Sequence, residues 1–411
     1  MSYGLIGEKL SHSYSKKIHE SFGKYNYDLI ELDKINFAAF MEARQFSGIN
    51  VTIPYKKAVI PFCDTLTPIA KDIGSVNTIY FQGGKLIGDN TDYFGFQYML
   101  NRSGISLENK KVLIIGAGGS SLTAIKAAND LKAKEIIIAS RNGLNATVTM
   151  EQINKHFDSQ IIINTTPVGM YPFNGESLIF LKDFPLCEGV VDLIYNPLLT
   201  HLLQEAKSLR IPFSNGLSML VAQAFKAFEL FSETSLESGI LERTIFSLEK
   251  EIKNIVLIGM PGCGKTTLGK LLAKKLKRPF IDSDDLIEKK IGMTIPLFFE
   301  ISGEEEFRKV ENIIAEEVGK NSGQVISTGG GIILNPLNID ALSQNGTILF
   351  LDRPLENLAV HGRPLSKSLD ALNEMSSQRR SLYKKYSDYI IDISENPYKN
   401  VNVILKVLGG K

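Results

Sequence analysis

Cysteine is scarce in this chain. Its 411 residues hold three, Cys63, Cys187 and Cys263, far apart and without metal-ligand spacing. So odd and sparse a set points to a reducing cytoplasm. The five histidines, His12, His19, His156, His201 and His361, form no i, i+4 pair and no cluster with cysteine, so a zinc site is not expected. Net charge is nearly absent too. A formal +1 argues against a nucleic-acid or membrane-surface partner, while leaving room for local anion sites. No run of 18 apolar residues occurs, and no basic stretch followed by an apolar one opens the chain, so neither a membrane span nor a signal peptide is expected. Low-complexity tracts and internal repeats are missing as well. The expectation is a soluble cytoplasmic protein.

What is present is apolar bulk in two instalments. At 411 residues and 44% hydrophobic content, two domains with sizeable cores are the natural division. The sharpest local signal is G-M-P-G-C-G-K-T-T, Gly259 to Thr267. A β-branched run, Asn254–Ile258, precedes it and a helix-forming run, Leu268–Leu276, follows. Strand, glycine loop and helix together make a phosphate-binding loop. Backbone N–H groups of Gly262, Cys263 and Gly264 would turn inward on an anion, aided by the helix N-terminus. Lys265 would bring a full charge to the β- and γ-phosphates of ATP. Thr266 would ligate Mg²⁺, and Thr267 completes the motif.

Residues 2 to 90 alternate strand-like and helical runs, implying an α/β sandwich. Expected strands are Tyr3–Ile6, Tyr27–Leu32, Gly48–Ile53, Ser75–Phe81 and Leu86–Gly88. Helices are expected at Ser15–Phe22, Phe37–Phe46 and Thr91–Arg102, and Gln82-Gly83-Gly84 signals a hairpin. From residue 110 a second pattern starts. Lys111–Ile115 reads as a strand, Gly116-Ala117-Gly118-Gly119-Ser120-Ser121 as a dinucleotide loop, Leu122–Leu131 as a helix and Glu135–Ala139 as the next strand. At the end of that strand an NAD enzyme would carry a carboxylate. Here stand Ser140 and Arg141, and an arginine accommodates the 2′-phosphate of NADP. Further strands are expected at Ser159–Asn164, Gly189–Leu193 and Ile211–Phe213, with a helix at Leu217–Phe231. Residues 232–252 read as a terminal helix plus a short linker.

Polar residues stand out among the apolar strands of the first domain: Ser13, Ser15, Thr52, Lys56, Asn77 and Asp92. Each lies at a strand's C-terminal end or just beyond it, where α/β sheets bind ligands. Hydroxyls, an amide, a lysine and a carboxylate suit a small polyol acid. Lys56 or Asp92 would supply a proton to the alkoxide formed by hydride transfer to a ketone.

These strings resemble the shikimate dehydrogenase family over residues 1 to about 245. The matching motifs are S-H-S-x-S, N-V-T-x-P-x-K, V-N-T, G-D-N-T-D, G-A-G-G and N-x-T-x-x-G-M, followed by Tyr195-Asn196-Pro197-Leu198 and G-L-x-M-L-V-A-Q. The resemblance implies that Ser13 and Ser15 hold the substrate carboxylate. It assigns the hydroxyls to Thr52, Asn77, Asp92 and Gln223, and chemistry to Lys56 and Asp92. Tyr195, Gly216 and Met219 would sit near the nicotinamide, with Gly116, Gly118, Gly119, Ser120, Ser140 and Arg141 on the rest of NADPH. One departure is plain. Only 22 residues separate Arg141 from Asn164, about a helix and a strand fewer than the family carries.

Beyond the phosphate loop, Ile281 is followed by Asp282-Ser283-Asp284-Asp285 at a strand end. An N-cap explains one aspartate, not three. Asp282 would reach Mg²⁺ and Asp284 would orient an attacking hydroxyl. Arg308 and Glu311 lie three apart on a helix, where a plain ion pair is the alternative reading. Gly329-Gly330-Gly331 permits close backbone approach to a ligand. Arg363 is placed for a mobile cover over the phosphates, and Arg379 has the fork to hold a carboxylate. These motifs resemble shikimate kinase from about 253 to 411. That resemblance implies Asp284 on the shikimate hydroxyl, Arg308 and Arg379 on its carboxylate, the glycine run behind its ring and Arg363 on the phosphates. Only ten residues separate Asp352 from Arg363, so the lid is short and the family's adenine-stacking arginine has no counterpart.

The expected architecture is α/β throughout. A substrate domain spans 1–105 with helices from about 217–246 packing back on it, and a shortened Rossmann-like NADP domain spans 106–231. A helix and linker occupy 232–252, and a P-loop kinase domain with a parallel sheet spans 253–411. The two resemblances converge on one metabolite: 3-dehydroshikimate reduced to shikimate, and shikimate phosphorylated at its 3-hydroxyl. Two alternatives stay open. One half would be a degenerate binding or regulatory module, or the first half would be an NAD-dependent quinate/shikimate dehydrogenase.

Overall fold

Short runs of β-branched residues followed by amphipathic helices bury both strand faces only when helices cover a sheet on each side. The computed structural model describes residues 3–10, 13–23, 25–358 and 369–409 and contains three such sheets. The chain divides into two units, Met1–Leu248 and Glu249–Lys411.

The first unit opens with β1 (Tyr3–Gly7), α1 (Ser15–Phe22), β2 (Tyr27–Glu31), α2 (Lys34–Ala43) and β3 (Gly48–Val51). Then come β4 (Thr65–Leu66), α3 (Pro68–Ile73), β5 (Thr78–Gln82), β6 (Lys85–Asp89) and α4 (Thr91–Ser103). The sheet order is β2-β1-β3-β5-β6-β4. It is mixed, because Gly83 and Gly84 fold β6 back antiparallel on β5. Both glycines have positive φ, +58° and +78°, which the tight primed hairpin turns require.

The second sheet contains β7 (Lys111–Ile115), β8 (Glu135–Ser140), β9 (Val148–Thr149), β10 (Ile161–Asn164), β11 (Gly189–Asp192) and β12 (Phe213–Ser214). Helix α5 (Gly119–Asp130) follows β7, and α6 (His201–Ser208) follows β11. All strands run parallel in the order β12-β11-β10-β7-β8-β9. This is the doubly wound arrangement, with its crevice where the order reverses between β7 and β10. The expected loss of a helix and a strand is corrected in part. No α-helix joins β8 to β9, but the strand survives as the two residues Val148–Thr149, followed by a 3₁₀ turn, Met150–His156.

Helix α7 (Leu217–Ser232) lies against α4. At the crossing a Cβ on Gly95 would come within 2.6 Å of the Met219 carbonyl, so only glycine lets the two backbones approach this closely. Further along α7, Phe231 stacks on Tyr3 of β1 at 5.4 Å. Helix α8 (Ser238–Ile252) buries Leu241, Ile245, Leu248 and Ile252 on one stripe. The linker expected within 232–252 is therefore corrected. The helix runs to Ile252 and the next strand begins at Asn254, so residues 233–237 before the helix are the only loop of any length.

The second unit holds β13 (Asn254–Ile258), α9 (Lys265–Leu276), β14 (Phe280–Asp282), α10 (Ser283–Ile291) and α11 (Ile295–Gly319). It continues with β15 (Val325–Ser327), α12 (Pro336–Ser343), β16 (Gly346–Asp352), α13 (Leu369–Tyr386), β17 (Tyr389–Asp392) and α14 (Pro397–Val407). The five strands run parallel as β14-β15-β13-β16-β17. Helix α11 breaks at Gly303 (φ +81°, ψ 175°), so the acidic run after it starts a fresh helical segment. Among the described residues no helix is long and apolar enough to cross a membrane.

Candidate active sites

In the first unit a cavity of about 540 Å³ opens at the C-terminal ends of β1 and β3. Its lining includes Ser13, Ser15, Thr52, Lys56, Asn77, Asp92, Ser120, Tyr195, Gly216, Met219 and Gln223. The turn G-D-N-T-D shows how local chemistry aims a side chain. Asp89 accepts from the Thr67 hydroxyl at 2.6 Å and from the Asn90 N–H at 2.7 Å. Asn90 then caps α4 by accepting from the Tyr93 N–H. Thr91 donates its N–H to the Asn77 side-chain oxygen at 2.7 Å. Asp92, in the first turn of α4, is left facing Lys56, with Nζ to Oδ2 at 2.6 Å and side chains 18% and 14% exposed. Asn77 also donates to Gln223 Oε1 at 3.5 Å across 146 residues. Ser13 Oγ accepts from the Ser15 N–H at 3.2 Å, so it supports the start of α1 while lining the cavity.

Asn50 was not singled out by sequence, although it stands two residues before Thr52. It lines the cavity and is wired behind it: Tyr27 donates to its Oδ1 at 2.7 Å, and its Nδ2 donates to Thr78 at 3.0 Å. Tyr27 in turn stacks on the fully buried His19 at 4.0 Å. Burial pushes the His19 imidazole down to about 3, so it is a neutral ring there and no proton donor near neutral pH.

The dinucleotide loop has φ +113° at Gly116, where a Cβ would collide with the Thr165 hydroxyl. Around Gly118 and Gly119 the space is open, so N–H groups at the start of α5 face a free approach. Ser121, the unorthodox sixth position, is buried and donates its hydroxyl to the Gly118 carbonyl at 2.6 Å. Ser140 ends β8, and Arg141 just beyond it is exposed with no ion-pair partner among the described residues. This cradle fits a dinucleotide carrying an extra phosphate. Behind it, Asp192 is fully buried at the end of β11. It accepts from Thr200 at 2.7 Å and from both Asn164 and the Ile194 N–H at 3.0 Å. Desolvation nevertheless raises its carboxyl to about 7, against the lowering effect of those donors.

In the second unit a cavity of about 570 Å³ is lined by Gly262, Gly264, Lys265, Thr266, Thr267, Asp282, Asp284, Arg308, Gly329, Gly330, Gly331 and Arg379. Cys263 is fully buried and does not line the cavity, its Sγ lying 4.0 Å from Lys265 Nζ. The buried Lys265 ammonium donates to the Gly259 carbonyl at 2.8 Å and the Met260 carbonyl at 3.1 Å, ready to exchange them for phosphate oxygens. Thr266 donates to Asp282 Oδ2 at 2.8 Å, while Oδ1 accepts from the Asp284 N–H at 3.1 Å. Asp282 thus caps α10 as well as facing Thr266. Hydroxyl and carboxylate are hard oxygen donors, a set that suits Mg²⁺ with water and phosphate completing the shell.

Arg308 is held on two sides, by Glu304 at 2.7 Å and by Glu311 at 2.8 Å. Glu311 is 1% exposed. Burial raises its carboxyl, with Arg308 and Arg379 pulling the other way. The sequence leaves this pair open as a site or a plain surface ion pair, and the burial of Glu311 is unlike a surface pair. The glycine run explains itself by proximity. A Cβ on Gly329 would lie 2.7 Å from Asp284 Oδ1, and one on Gly331 would strike the Arg308 guanidinium. The Gly330 carbonyl accepts from Tyr383 at 2.5 Å and from Arg379 at 3.4 Å. Phe299 and Arg353 also line this cavity without a signal in the sequence, and so does Asp285, the third aspartate of the strand-end run. Arg363, with His361, lies outside the described residues.

Comparisons with known proteins follow the same division. Residues 5–79 match the family model described as "Shikimate dehydrogenase substrate binding domain", and residues 261–409 match the one described as "Shikimate kinase". A shikimate dehydrogenase (NADP(+)) of Clostridium beijerinckii is 37% identical over 268 residues, spanning 61% of this chain and 99% of that protein. Among solved structures, a chorismate mutase/shikimate 5-dehydrogenase fusion protein from Clostridium acetobutylicum is similar with a TM-score of 0.57 and 34% identity, covering 60% of this chain and 97% of that one. Shikimate dehydrogenase 1 from Peptoclostridium difficile gives 0.56 and 34%, covering 60% and 98%.

Proposed function

The chain belongs to the shikimate dehydrogenase family and carries a shikimate kinase domain toward its C-terminus, and from that premise we propose how its own residues divide two reactions. It is a bifunctional enzyme of the shikimate pathway. The first unit reduces 3-dehydroshikimate to shikimate with NADPH, and the second phosphorylates shikimate with ATP. The observation that supports the reading is that each unit has a cavity lined from distant segments by residues suited to one of these steps, Ser13, Lys56, Asp92 and Gln223 in the first and Lys265, Asp284, Arg308 and Arg379 in the second.

In the first cavity Ser13 and Ser15 donate to the substrate carboxylate, while Thr52, Asn77, Asp92 and Gln223 orient its hydroxyls. Bound NADPH supplies the hydride. Gly116, Gly118, Gly119 and Ser120 receive its pyrophosphate, Ser140 and Arg141 its 2′-phosphate, and Tyr195, Gly216 and Met219 border the nicotinamide. Lys56 gives a proton to the alkoxide that develops on the substrate, and Asp92, 2.6 Å away, keeps that ammonium aimed. In the second cavity Asp284 orients the 3-hydroxyl in line with the γ-phosphate, and Arg308 and Arg379 hold the carboxylate. Gly329, Gly330 and Gly331 form the floor. Lys265, the loop amides and Thr267 neutralise and position the phosphates, with Arg363 joining them. Thr266 and Asp282 would hold Mg²⁺, which when bound neutralises charge on the β- and γ-phosphates. The reaction partners are these small molecules, handled in a cytoplasmic setting.

A mass-spectrometric product assay tests this. With 3-dehydroshikimate, NADPH, ATP and Mg²⁺, shikimate 3-phosphate is expected, and omitting ATP leaves shikimate to accumulate. If added shikimate is phosphorylated but none forms from 3-dehydroshikimate with either nicotinamide cofactor, the dehydrogenase assignment fails.

A further inference from the structure

Three charged side chains line the first-unit cavity among the described residues: Lys9, Lys56 and Asp92. Lys56 and Asp92 neutralise one another at 2.6 Å. Lys9 is exposed, and no described carboxylate pairs with it. Its backbone is nonetheless fixed on both sides. The Glu8 N–H donates to the Ile53 carbonyl at 3.5 Å, and the Leu10 N–H donates to Glu31 Oε1 at 2.7 Å. The Ser13 N–H then closes back on the Leu10 carbonyl at 3.0 Å. Lys9 thus lines the same cavity as Ser13 and Ser15.

Two hydroxyls are neutral donors. They hold a carboxylate, but they would hold an ester or an amide almost as well, since nothing in a neutral hydrogen bond selects for charge. Selection for an anion needs an uncompensated cation, and Lys9 is the one that the described residues give this cavity. We propose that Lys9 is a specificity-determining residue of the dehydrogenase site, supplying the positive charge that draws the substrate carboxylate onto Ser13 and Ser15. The proposal rests on the dehydrogenase reading and adds to it the source of its preference for an acid. Because the ammonium is exposed, its effect is screened and falls with salt.

The test uses the full chain with Lys9→Met, Lys9→Arg and Lys9→Glu, assayed for reduction of 3-dehydroshikimate and of its methyl ester at low and high ionic strength. In Lys9→Met the KM for the acid rises about fivefold, the order expected of one exposed charge. Its kcat and its KM for NADPH stay as in the wild type. The salt dependence of kcat/KM flattens, and the preference for acid over ester narrows. Lys9→Arg restores both, and Lys9→Glu raises KM further. An unchanged KM and salt slope in Lys9→Met, with an active wild type, overturns the proposal alone. So does a fall in kcat and NADPH affinity that arginine does not rescue, since that marks a merely structural residue. A wild-type chain that reduces neither compound overturns the dehydrogenase reading itself.

Discussion

Lys56 and Asp92 stand 36 residues apart in the chain and meet at 2.6 Å, the separation of a charge-assisted hydrogen bond. In the proposed reaction, removing the ammonium leaves the alkoxide without its donor. Lys56→Ala is expected to slow reduction of 3-dehydroshikimate at least about a hundredfold, with phosphorylation of added shikimate unchanged when both rates are measured on one preparation. Asp192 makes a different prediction, because it lines neither cavity and is fully buried. Folded, its carboxyl keeps a proton up to about 7, whereas the ordinary value is 3.8. Between those values the native state binds more protons than the unfolded one, so stability falls as pH rises. The contribution is full below the lower value and gone above the upper. Denaturation midpoints of wild type and Asp192→Asn should therefore differ by an amount that declines from about pH 4 to about pH 7. A difference that stays flat across that window would show the carboxylate ionised throughout.

Elements matter here through how closely they let backbones approach. The turn after β15 runs so near Arg308 that Gly331 has no room for a side chain, and the guanidinium cannot step aside while Glu304 and Glu311 hold it. Gly331→Ala is expected to raise the kinase KM for shikimate about tenfold, the loss of roughly one charge-assisted hydrogen bond, while the KM for ATP stays within about twofold, because the phosphate loop is untouched. Steady-state kinetics with each substrate varied separates the two. Strand β9 carries the opposite lesson. Two residues suffice to complete the sheet order beside β8, so the short stretch between Arg141 and Asn164 costs the nucleotide-binding half a helix and not its topology.

For the whole molecule, the division into units after Leu248 separates the two chemistries along the chain. Lys56→Ala disables only the first step and Lys265→Ala only the second. The latter should accumulate shikimate from 3-dehydroshikimate, and the former should make shikimate 3-phosphate only when shikimate is added. An equimolar mixture of the two variants should restore the full conversion through free shikimate. Failure of the mixture, with each variant active in its own remaining step, would show that the intermediate does not pass through solution.

Much of this was legible without coordinates, for a physical reason. Phosphate loops, glycine turns and strand-terminal clusters such as G-D-N-T-D obey local rules, since the cap, the φ sign and the donor all lie within a few residues. Strands β7 and β13 and helix α1 accordingly begin and end where periodicity places them. What local rules cannot reach is burial and pairing across the chain. Asn77 against Gln223, Glu311 sunk behind Arg308, and Asp192 desolvated inside a ring of donors depend on which surfaces meet. So does the freedom of Lys9, a lysine like any other in the sequence, whose charge acquires meaning only because Asp92 has already been spent on Lys56.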